Sequence, residues 1–378
     1  MKMSIIEEMK KVAETVDYRG YYYKLSHIIE ILILGLLCQM KTLKEIHLWA
    51  QSKHVKKMLE EIFGIKKLPC YSHFVNLTCI IDSDELNKIF MEFFRKLVQT
   101  VVGKTIAFDG KTVCSTANME HYSQALHIAS AFVVENGITI GQLAVEKKKN
   151  EIPAVQELIR LLDIEGATVV ADALNCQKKT AKEVLKAKAN YVFAVKKNHR
   201  NLYNDIAEIV DFKRFDKYEQ RNFPLEKLTK FEKGHGRFDK KTAYVTHDVE
   251  WLENRDKWSG LQTIGAIVTE SETRYYISSH KLTPKELLYY TRQEWAIESM
   301  HWQLDVIFNE DRTTLHEEKA QKTMNILRKT VLNIVRTYRD KFKPKLNLVD
   351  IMRNCLFDTD VLLDVMRSFD NCYSFVAN

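Results

Sequence analysis

Hydrophobic positions in the first hundred residues recur at the three- and four-residue spacing of a helix. Ile28 and Leu32 begin one apolar face, and residues 86–97 carry a second one. Polar residues at 82–84 offer a cap for the start of the second helix. Because this region has almost no strand signal, the pattern predicts an all-α domain over residues 1–100.

The pattern changes after residue 104, where short apolar runs alternate with amphipathic ones. Predicted strands cover 105–110, 125–135, 138–146, 167–172 and 191–195, and predicted helices cover 153–162, 177–188 and 200–210. Asn136-Gly137 is a strong hairpin signal between the second and third strands. This order is that of the ribonuclease-H-like fold, an α/β fold with a mixed five-stranded sheet flanked by helices.

A β-rich insertion follows and then gives way to helices. Aromatic and β-branched runs predict strands at 242–249, 262–268 and 273–278. Thr283, Pro284 and Glu286 have the spacing of a capping box with proline at the first helical position, so a helix to about residue 309 is predicted. The predicted units are 1–100 (helical domain), 101–210 and 281–345 (two parts of one α/β core), 211–280 (β-rich insertion) and 346–378 (helical tail).

Composition gives only weak evidence about the partners and the cellular compartment of the protein. The net charge of +7 and the pI near 8.8 suit a polyanionic partner, although many proteins are as basic. Seven scattered cysteines without a C-x-x-C pair argue against a disulfide framework or a thiolate zinc site. The start of the chain does not resemble a signal peptide, and the apolar run at 31–38 is short of the roughly 20 residues of a membrane span. We therefore expect a cytoplasmic protein with no membrane partner.

Two aspartates follow apolar strands of the predicted sheet. Asp109 ends the strand Thr-Ile-Ala-Phe, and Asp172 ends Thr-Val-Val-Ala. Ligand sites of open α/β sheets gather at the carboxyl ends of strands, and carboxylate oxygens suit hard divalent ions. An aspartate after a strand is also commonly a turn residue or a helix cap, so neither residue decides the matter alone.

Glu298 is the third candidate acid. On the predicted helix, Trp295 lies three residues before it and Trp302 four residues after it, so two indoles flank the carboxylate on one face. An acid among large apolar rings must be paired, protonated or bound to a metal ion. The alternative is an ordinary amphipathic helix, with its tryptophans in the core and its acids facing water.

Four motifs in order carry a family resemblance. They read IAFDGK at 106–111, VADALNCQ at 170–177, KGHGR at 233–237 and WAIESMHWQLDVIFNED at 295–311. Together they resemble the insertion-sequence transposases that include the H-repeat-associated proteins. The resemblance covers about residues 17 to 338, and the order of several motifs is far more specific than any one of them.

The resemblance implies a DDE-type transposase with a ribonuclease-H-like catalytic core. Asp109, Asp172 and Glu298 would hold two Mg²⁺ ions, with Mn²⁺ as a substitute. The expected partners are DNA, as element ends and as target, and a second copy of the chain in a DNA-bound dimer. A prokaryotic, nucleoid-associated enzyme that cleaves element ends and transfers the strands is therefore expected. An inactive DNA-binding descendant and a host metal-dependent nuclease remain the alternatives.

The chain departs from the family pattern at four places. Asn175 stands where the family often has glycine, Glu294 where it often has histidine, and Ser299 where it often has asparagine. Residues 196–199 read Lys-Lys-Asn-His where the family has Lys-Gly-Asn-Gln. None of these removes an expected metal ligand, but they bear on how DNA is placed near the site.

Basic residues near these motifs are the candidate DNA contacts, because charge dominates the affinity for phosphate backbones. They are Lys111, Lys196, Lys197, His199, Arg200, His235 and Arg237. Short lysine runs more often lie in solvated basic loops that bind nothing. The glycines around His235 and Arg237 also suit a simple hairpin turn.

Overall fold

Helices make up the N-terminal part of the protein, as predicted. The structure, a computed structural model, describes residues 5–18, 22–113, 125–145, 151–210, 224–234, 237–313 and 315–368. The first helices are α1 (Ile5–Lys10), α2 (Leu25–Leu37), α3 (Leu43–Gln51), α4 (Lys53–Phe63), α5 (Tyr71–Cys79) and α6 (Ser83–Val98). The Asp82 carboxylate caps α6 by accepting hydrogen bonds from the backbone N–H groups of Asp84 and Glu85 at 3.0 Å.

The strands of the α/β core form one end of a large sheet. They are β1 (Thr105–Val113), β2 (Leu126–Val133), β3 (Ile138–Ala144), β4 (Thr168–Ala171) and β5 (Asn190–Val195). Their spatial order is β3-β2-β1-β4-β5. β1, β4 and β5 pair in parallel, and β2 pairs antiparallel with both β1 and β3. This mixed five-stranded arrangement confirms the ribonuclease-H-like prediction. Gly137 has a φ of +63° in the β2–β3 turn, which explains the glycine there.

The β-rich insertion extends the same sheet. Its strands are β6 (Glu226–Gly234), β7 (Arg237–Thr246), β8 (Thr263–Val268) and β9 (Thr273–Ser278). Because β9 pairs antiparallel with β5, the nine strands are continuous in the order β3-β2-β1-β4-β5-β9-β8-β7-β6. The sequence did not single out β6, whose several lysines and glutamates leave little apolar signal. Such charges are typical of an edge strand, and β6 lies at the sheet edge.

The remaining helices pack around this sheet. They are α7 (Ile152–Leu161), α8 (Lys178–Lys186), α9 (Arg200–Val210), α10 (Pro284–Phe308), α11 (Glu318–Phe342), α12 (Leu348–Phe357) and α13 (Thr359–Arg367). Thr283 and Glu286 form the predicted capping box at the start of α10. In the described ranges, no helix is long and apolar enough to cross a membrane.

Two long helices position the functional region. α10 packs on β1 and β4, and α11 packs on α2 and α6 of the helical domain and on β3 of the sheet. The middle of α11 is buried on all sides, and its buried polar side chains are hydrogen-bonded to the sheet: Lys329 donates to Ser130 Oγ at 2.8 Å, and Asn333 Nδ2 donates to the Thr139 carbonyl oxygen at 2.9 Å. α11 therefore joins the N-terminal helices and the sheet into one packed core.

Candidate active site

Asp109 and Asp172 lie side by side because β1 and β4 run parallel. Phe108 of β1 pairs with Ala171, the last residue of β4, and in both segments the next residue is an aspartate. β1 continues past its predicted end to Val113, because β2 pairs with it along that length. Asp109 thus lies in mid-strand, at the level where β4 stops and the Asp172 loop begins.

α10 brings Glu298 to these aspartates. Desolvation raises the pKa of Glu298, and repulsion by the charges of Asp109 and Asp172 raises it further. His301, one turn later on α10, partly offsets the repulsion and lies with its Nδ1 3.5 Å from Asp109 Oδ2. The three candidate acids, separated by 63 or more residues in the sequence, therefore share one electrostatic environment.

Negative charge at the site exceeds what nearby protein cations neutralise. Desolvation raises the pKa of Asp172, the backbone N–H groups of Asn175 and Leu174 oppose this, and Asp109 adds to it. Glu294, one turn before Glu298, has its pKa raised to about 8, first by desolvation and then by the charge of Asp172. Like charges held together with raised pKa values are typical of sites that receive a cation.

The donor chemistry of the three acids fits a hard divalent ion. All their donor atoms are carboxylate oxygens, the ligands that Mg²⁺ and Mn²⁺ prefer. One oxygen of Asp172, Oδ1, accepts from the backbone N–H groups of Leu174 and Asn175, both at 3.1 Å. Across the described residues, no three Asp, Glu, His or Cys side chains already stand close enough to hold an ion. The three acids therefore suit a divalent ion by their donor atoms and their charge, and the described side chains are not already arranged as a coordination sphere.

Sequence reasoning missed several residues beside the aspartates. Buried Glu151 accepts a hydrogen bond from Asn175 Nδ2 at 2.7 Å, and its other oxygen lies 2.9 Å from His127 Nε2. His301 is also buried, and its Nε2 has no hydrogen-bond partner among the described residues. Only His301 had a usable signal, its position one turn after Glu298. Glu151 and His127 lie in separate elements whose meeting no local pattern reveals.

The two tryptophans around Glu298 are exposed. Trp295 is 51% exposed and Trp302 is 62% exposed, so the alternative that places them in the core is wrong. The Arg274 guanidinium of β9 lies 5.7 Å from the centre of the Trp295 ring, within cation–π range. The insertion strands therefore contribute a cation next to the face of α10 that carries Glu298.

Lys111 lies in a charged cluster and not on an open surface. Its ammonium group pairs with Asp305, with Glu310 Oε2 at 3.2 Å and with Asp311 Oδ1 at 3.4 Å, and its side chain is 11% exposed. Arg328 lies 3.8 Å from the other oxygen of Glu310. We call these five residues the Lys111 cluster. Since the ammonium group is already occupied, we do not include Lys111 in the proposed DNA contacts.

The loop after β5 carries the other basic candidates. Lys196, Lys197 and Arg200 are exposed. His199 points inward, with its Nε2 2.5 Å from the Cys176 carbonyl oxygen and its ring against Trp258.

The Gly-His-Gly-Arg motif joins β6 and β7. These strands pair through Gly234 and Arg237, so the motif lies at a hairpin. His235 lies outside the described residues, and of Arg237 only the strand backbone is described. The DNA contacts expected of these two residues stay predictions.

Comparison with known proteins identifies the family. Residues 102–334 match the family model described as transposase DDE domain, and residues 6–94 match the model described as DDE_Tnp_1-associated. The chain is 32% identical over 273 residues to YncI of Escherichia coli O157:H7, which is named a transposase, covering 69% of each chain. It is 27% identical to YhhI of E. coli K12, named an H repeat-associated transposase, over 95% of this chain and 98% of that protein.

A solved structure supports the fold. The piggyBac transposase, seen by cryo-EM in a synaptic complex with hairpin DNA, aligns with a TM-score of 0.51 at 13% identity. The alignment covers 99% of this chain and 83% of that one. With the family match over most of the sheet and α10, the expected enzyme class is confirmed, and the two alternatives are not favoured. The chain belongs to the insertion-sequence DDE transposases that include the H repeat-associated proteins, enzymes that act on DNA and use divalent metal ions.

Proposed function

We propose that Asp109, Asp172 and Glu298 are the catalytic carboxylates of this transposase and together hold two Mg²⁺ ions, which Mn²⁺ can replace. The observation that carries the proposal is the meeting of three elements: β1 and β4 pair in parallel one residue before the two aspartates, and α10 packs on both strands, so that the charges of Asp109 and Asp172 act on Glu298. His301 and Arg274 only partly offset this negative charge, which leaves a place that divalent ions would stabilise.

The protein itself contributes by holding the catalytic carboxylates in place. When bound, the ions would activate the attacking oxygen and stabilise the leaving oxygen of a phosphodiester. Hydrogen bonds to Oδ1 of Asp172 hold that carboxylate in one orientation. Burial of β1 and β4 holds both aspartates on a rigid sheet, so little reorganisation is needed during the reaction.

We propose that DNA follows the exposed basic loop beside this site. Lys196, Lys197 and Arg200 carry the charge, and two hydrogen bonds hold their loop to the loop after Asp172. One runs from Asn198 Nδ2 to the Ala173 carbonyl oxygen at 2.7 Å, and the other is the His199 contact. Phosphate contacts here would fix the register of the DNA without reading its sequence.

We expect the enzyme to cut the ends of its element and join the freed 3′-hydroxyl to target DNA. Two ends must be handled together, which favours a dimer on DNA. Because its substrate is chromosomal, we expect the protein at the nucleoid of a prokaryote.

The test is cleavage of a supercoiled plasmid that carries the element ends, with Mg²⁺, with Mn²⁺ or with EDTA. Asp109→Asn, Asp172→Asn and Glu298→Gln should each lower the cleavage rate by on the order of 10³-fold or more, while end binding persists. Glu157→Gln, at an exposed acid of α7, is the matched control. Near-normal cleavage by any of the three site variants would refute the assignment of that residue.

A second measurement separates transposition from simple nuclease activity. Pre-cleaved element ends with a free 3′-hydroxyl are mixed with target plasmid and Mg²⁺. Joined products that require all three acids are the expected result. Nicking without joining would instead support a host nuclease.

A further inference from the structure

Glu151 is a buried acid that the proposed mechanism does not use. It lies immediately before α7 and is 7% exposed. Among the described residues, its hydrogen-bond partners are an amide and an imidazole, with no lysine or arginine. Burying a carboxylate without a strong cationic partner lowers the stability of the fold. An apolar side chain would serve a purely structural role with a smaller loss of stability.

One oxygen of Glu151 reaches the second aspartate through Asn175. The Asn175 Nδ2 group donates to Glu151 Oε1 at 2.7 Å and to Asp172 Oδ1 at 3.2 Å. Together with two backbone N–H groups, this gives Asp172 Oδ1 three donors. The other Asp172 oxygen takes part in none of these bonds. The bridge therefore adds to the backbone donors that engage Oδ1 and ties the orientation of Asp172 to Glu151.

The other oxygen of Glu151 reaches the strand of the first aspartate. It lies 2.9 Å from His127 Nε2, and His127 Nδ1 lies 2.6 Å from the hydroxyl of Thr112 on β1. A Cβ atom on Gly110, the residue after Asp109, would lie 1.8 Å from this Glu151 oxygen. Glycine at position 110 thus allows the carboxylate to approach the backbone of β1.

We propose that Glu151 is a positioning residue that sets Asp172 relative to Asp109, acting through Asn175 on one side and His127 on the other. The proposal rests on the proposed function of these two aspartates. It makes Glu151 and Asn175 determinants of metal affinity, although neither is proposed to touch the metal. Partners behind a metal ligand are commonly worth about 10- to 100-fold in metal affinity or activity.

The first variant is Asn175→Ala, which removes the bridging amide and keeps the backbone donors to Asp172. Mn²⁺ binding is measured on the full chain without DNA, by electron paramagnetic resonance of the free ion. We expect the affinity to fall on the order of 10-fold. Cleavage of the plasmid should need correspondingly more metal, with a rate at saturating Mn²⁺ that approaches that of the unchanged protein.

The second variant is Glu151→Gln, which keeps the shape and removes the charge. We expect it to weaken Mn²⁺ binding in the same way, and the double variant should lose little more than either single one, because both act through one bridge. Gln156→Ala is the control. It breaks a buried hydrogen bond of 3.1 Å between α7 and Thr180 of α8 without touching the bridge. It should lower the melting temperature in EDTA and leave Mn²⁺ affinity unchanged.

The outcomes separate this inference from the proposed function. Unchanged Mn²⁺ affinity in both bridge variants would overturn the inference, as would a loss no larger than that of Gln156→Ala. Loss of cleavage by Glu151→Gln at every metal concentration, with Asn175→Ala normal, would also overturn it, because Glu151 would then act directly. If Asp172→Asn itself binds Mn²⁺ and cleaves normally, the proposed function fails instead.

Discussion

β1 and α10 carry residues of two different groups of acids. The groups differ in how far nearby protein cations neutralise them. The catalytic group has Asp109 on β1 and Glu298 on α10, and repulsion contributes to the raised pKa of Glu298. The Lys111 cluster has Lys111 on β1 and Asp305 near the end of α10, and there the protein supplies the cations itself.

Glu310 and Glu298 show the difference most clearly. Full burial of Glu310 would raise its pKa, but Arg328 and Lys111 outweigh that desolvation and lower the pKa below its ordinary value. Glu298 is more exposed, yet its pKa is raised. The comparison teaches that burial alone does not distinguish a structural acid from a functional one. The balance between nearby protein cations and nearby acids does: for Glu310 the cations outweigh desolvation, and for Glu298 His301 and Arg274 do not.

Breaking the Lys111 cluster should have the largest effect on stability. Lys111→Met leaves buried Glu310 with one fewer cation, and removing one partner of a buried pair typically costs about 3–5 kcal/mol. The measurement is the free energy of unfolding in urea. Lys57→Met, which removes an exposed lysine 3.8 Å from Glu61, is the control and should change it by less than about 1 kcal/mol. An equally small loss for Lys111→Met would show that the cluster is not structural.

Divalent metal should stabilise the catalytic group and not the cluster. At 100 times its dissociation constant, Mg²⁺ would add about 2.7 kcal/mol to the free energy of unfolding. Asp172→Asn should abolish that gain and should be more stable than the unchanged protein in EDTA, because it removes a repelled charge. Glu310→Gln should keep the gain. The comparison fails if Mg²⁺ stabilises Asp172→Asn as strongly as the unchanged protein.

Removing a phosphate contact should have a smaller effect. Lys197→Ala should weaken end binding and lower the slope of log affinity against log salt by about 0.9, the value for one phosphate contact. Lys188, which lies before β5 while Lys196 and Lys197 follow it, provides the control Lys188→Ala. An unchanged salt slope for Lys197→Ala would place the DNA elsewhere.

The last expected effect is the one that depends on pH, and it concerns the acidity of Glu294. Its pKa rises from 4.5 to about 8 on folding, so its charged form opposes folding. Below pH 4.5 the group is protonated in both states and has no effect, and the penalty grows until the pH passes about 8. In EDTA, Glu294→Gln should therefore be more stable than the unchanged protein at pH 8 but not at pH 4. A stability difference that is flat with pH would contradict this.

Local patterns predicted much of the fold. The capping box of Thr283 and Glu286, the Asn136-Gly137 hairpin and the succession of strands and helices along the α/β core all recur in the structure, because each element depends on a few neighbouring residues. β6 was not singled out, because its charged residues suit an edge strand and leave no apolar run. The three acids were identified from motifs, and their proximity then followed from the parallel pairing of β1 with β4 and the packing of α10.

The sequence by itself determined the element types, the family and the three candidate acids, because periodicity, caps and motifs are written in consecutive residues. Only the tertiary structure decided that Lys111 binds carboxylates of α10 and the turn after it, that the insertion continues the core sheet, and that Glu151 contacts both Asn175 beside Asp172 and His127 beside β1. The physical reason is that a helical or strand pattern specifies which face of an element is buried. Which distant segment of the chain packs against that face depends on how the whole core packs.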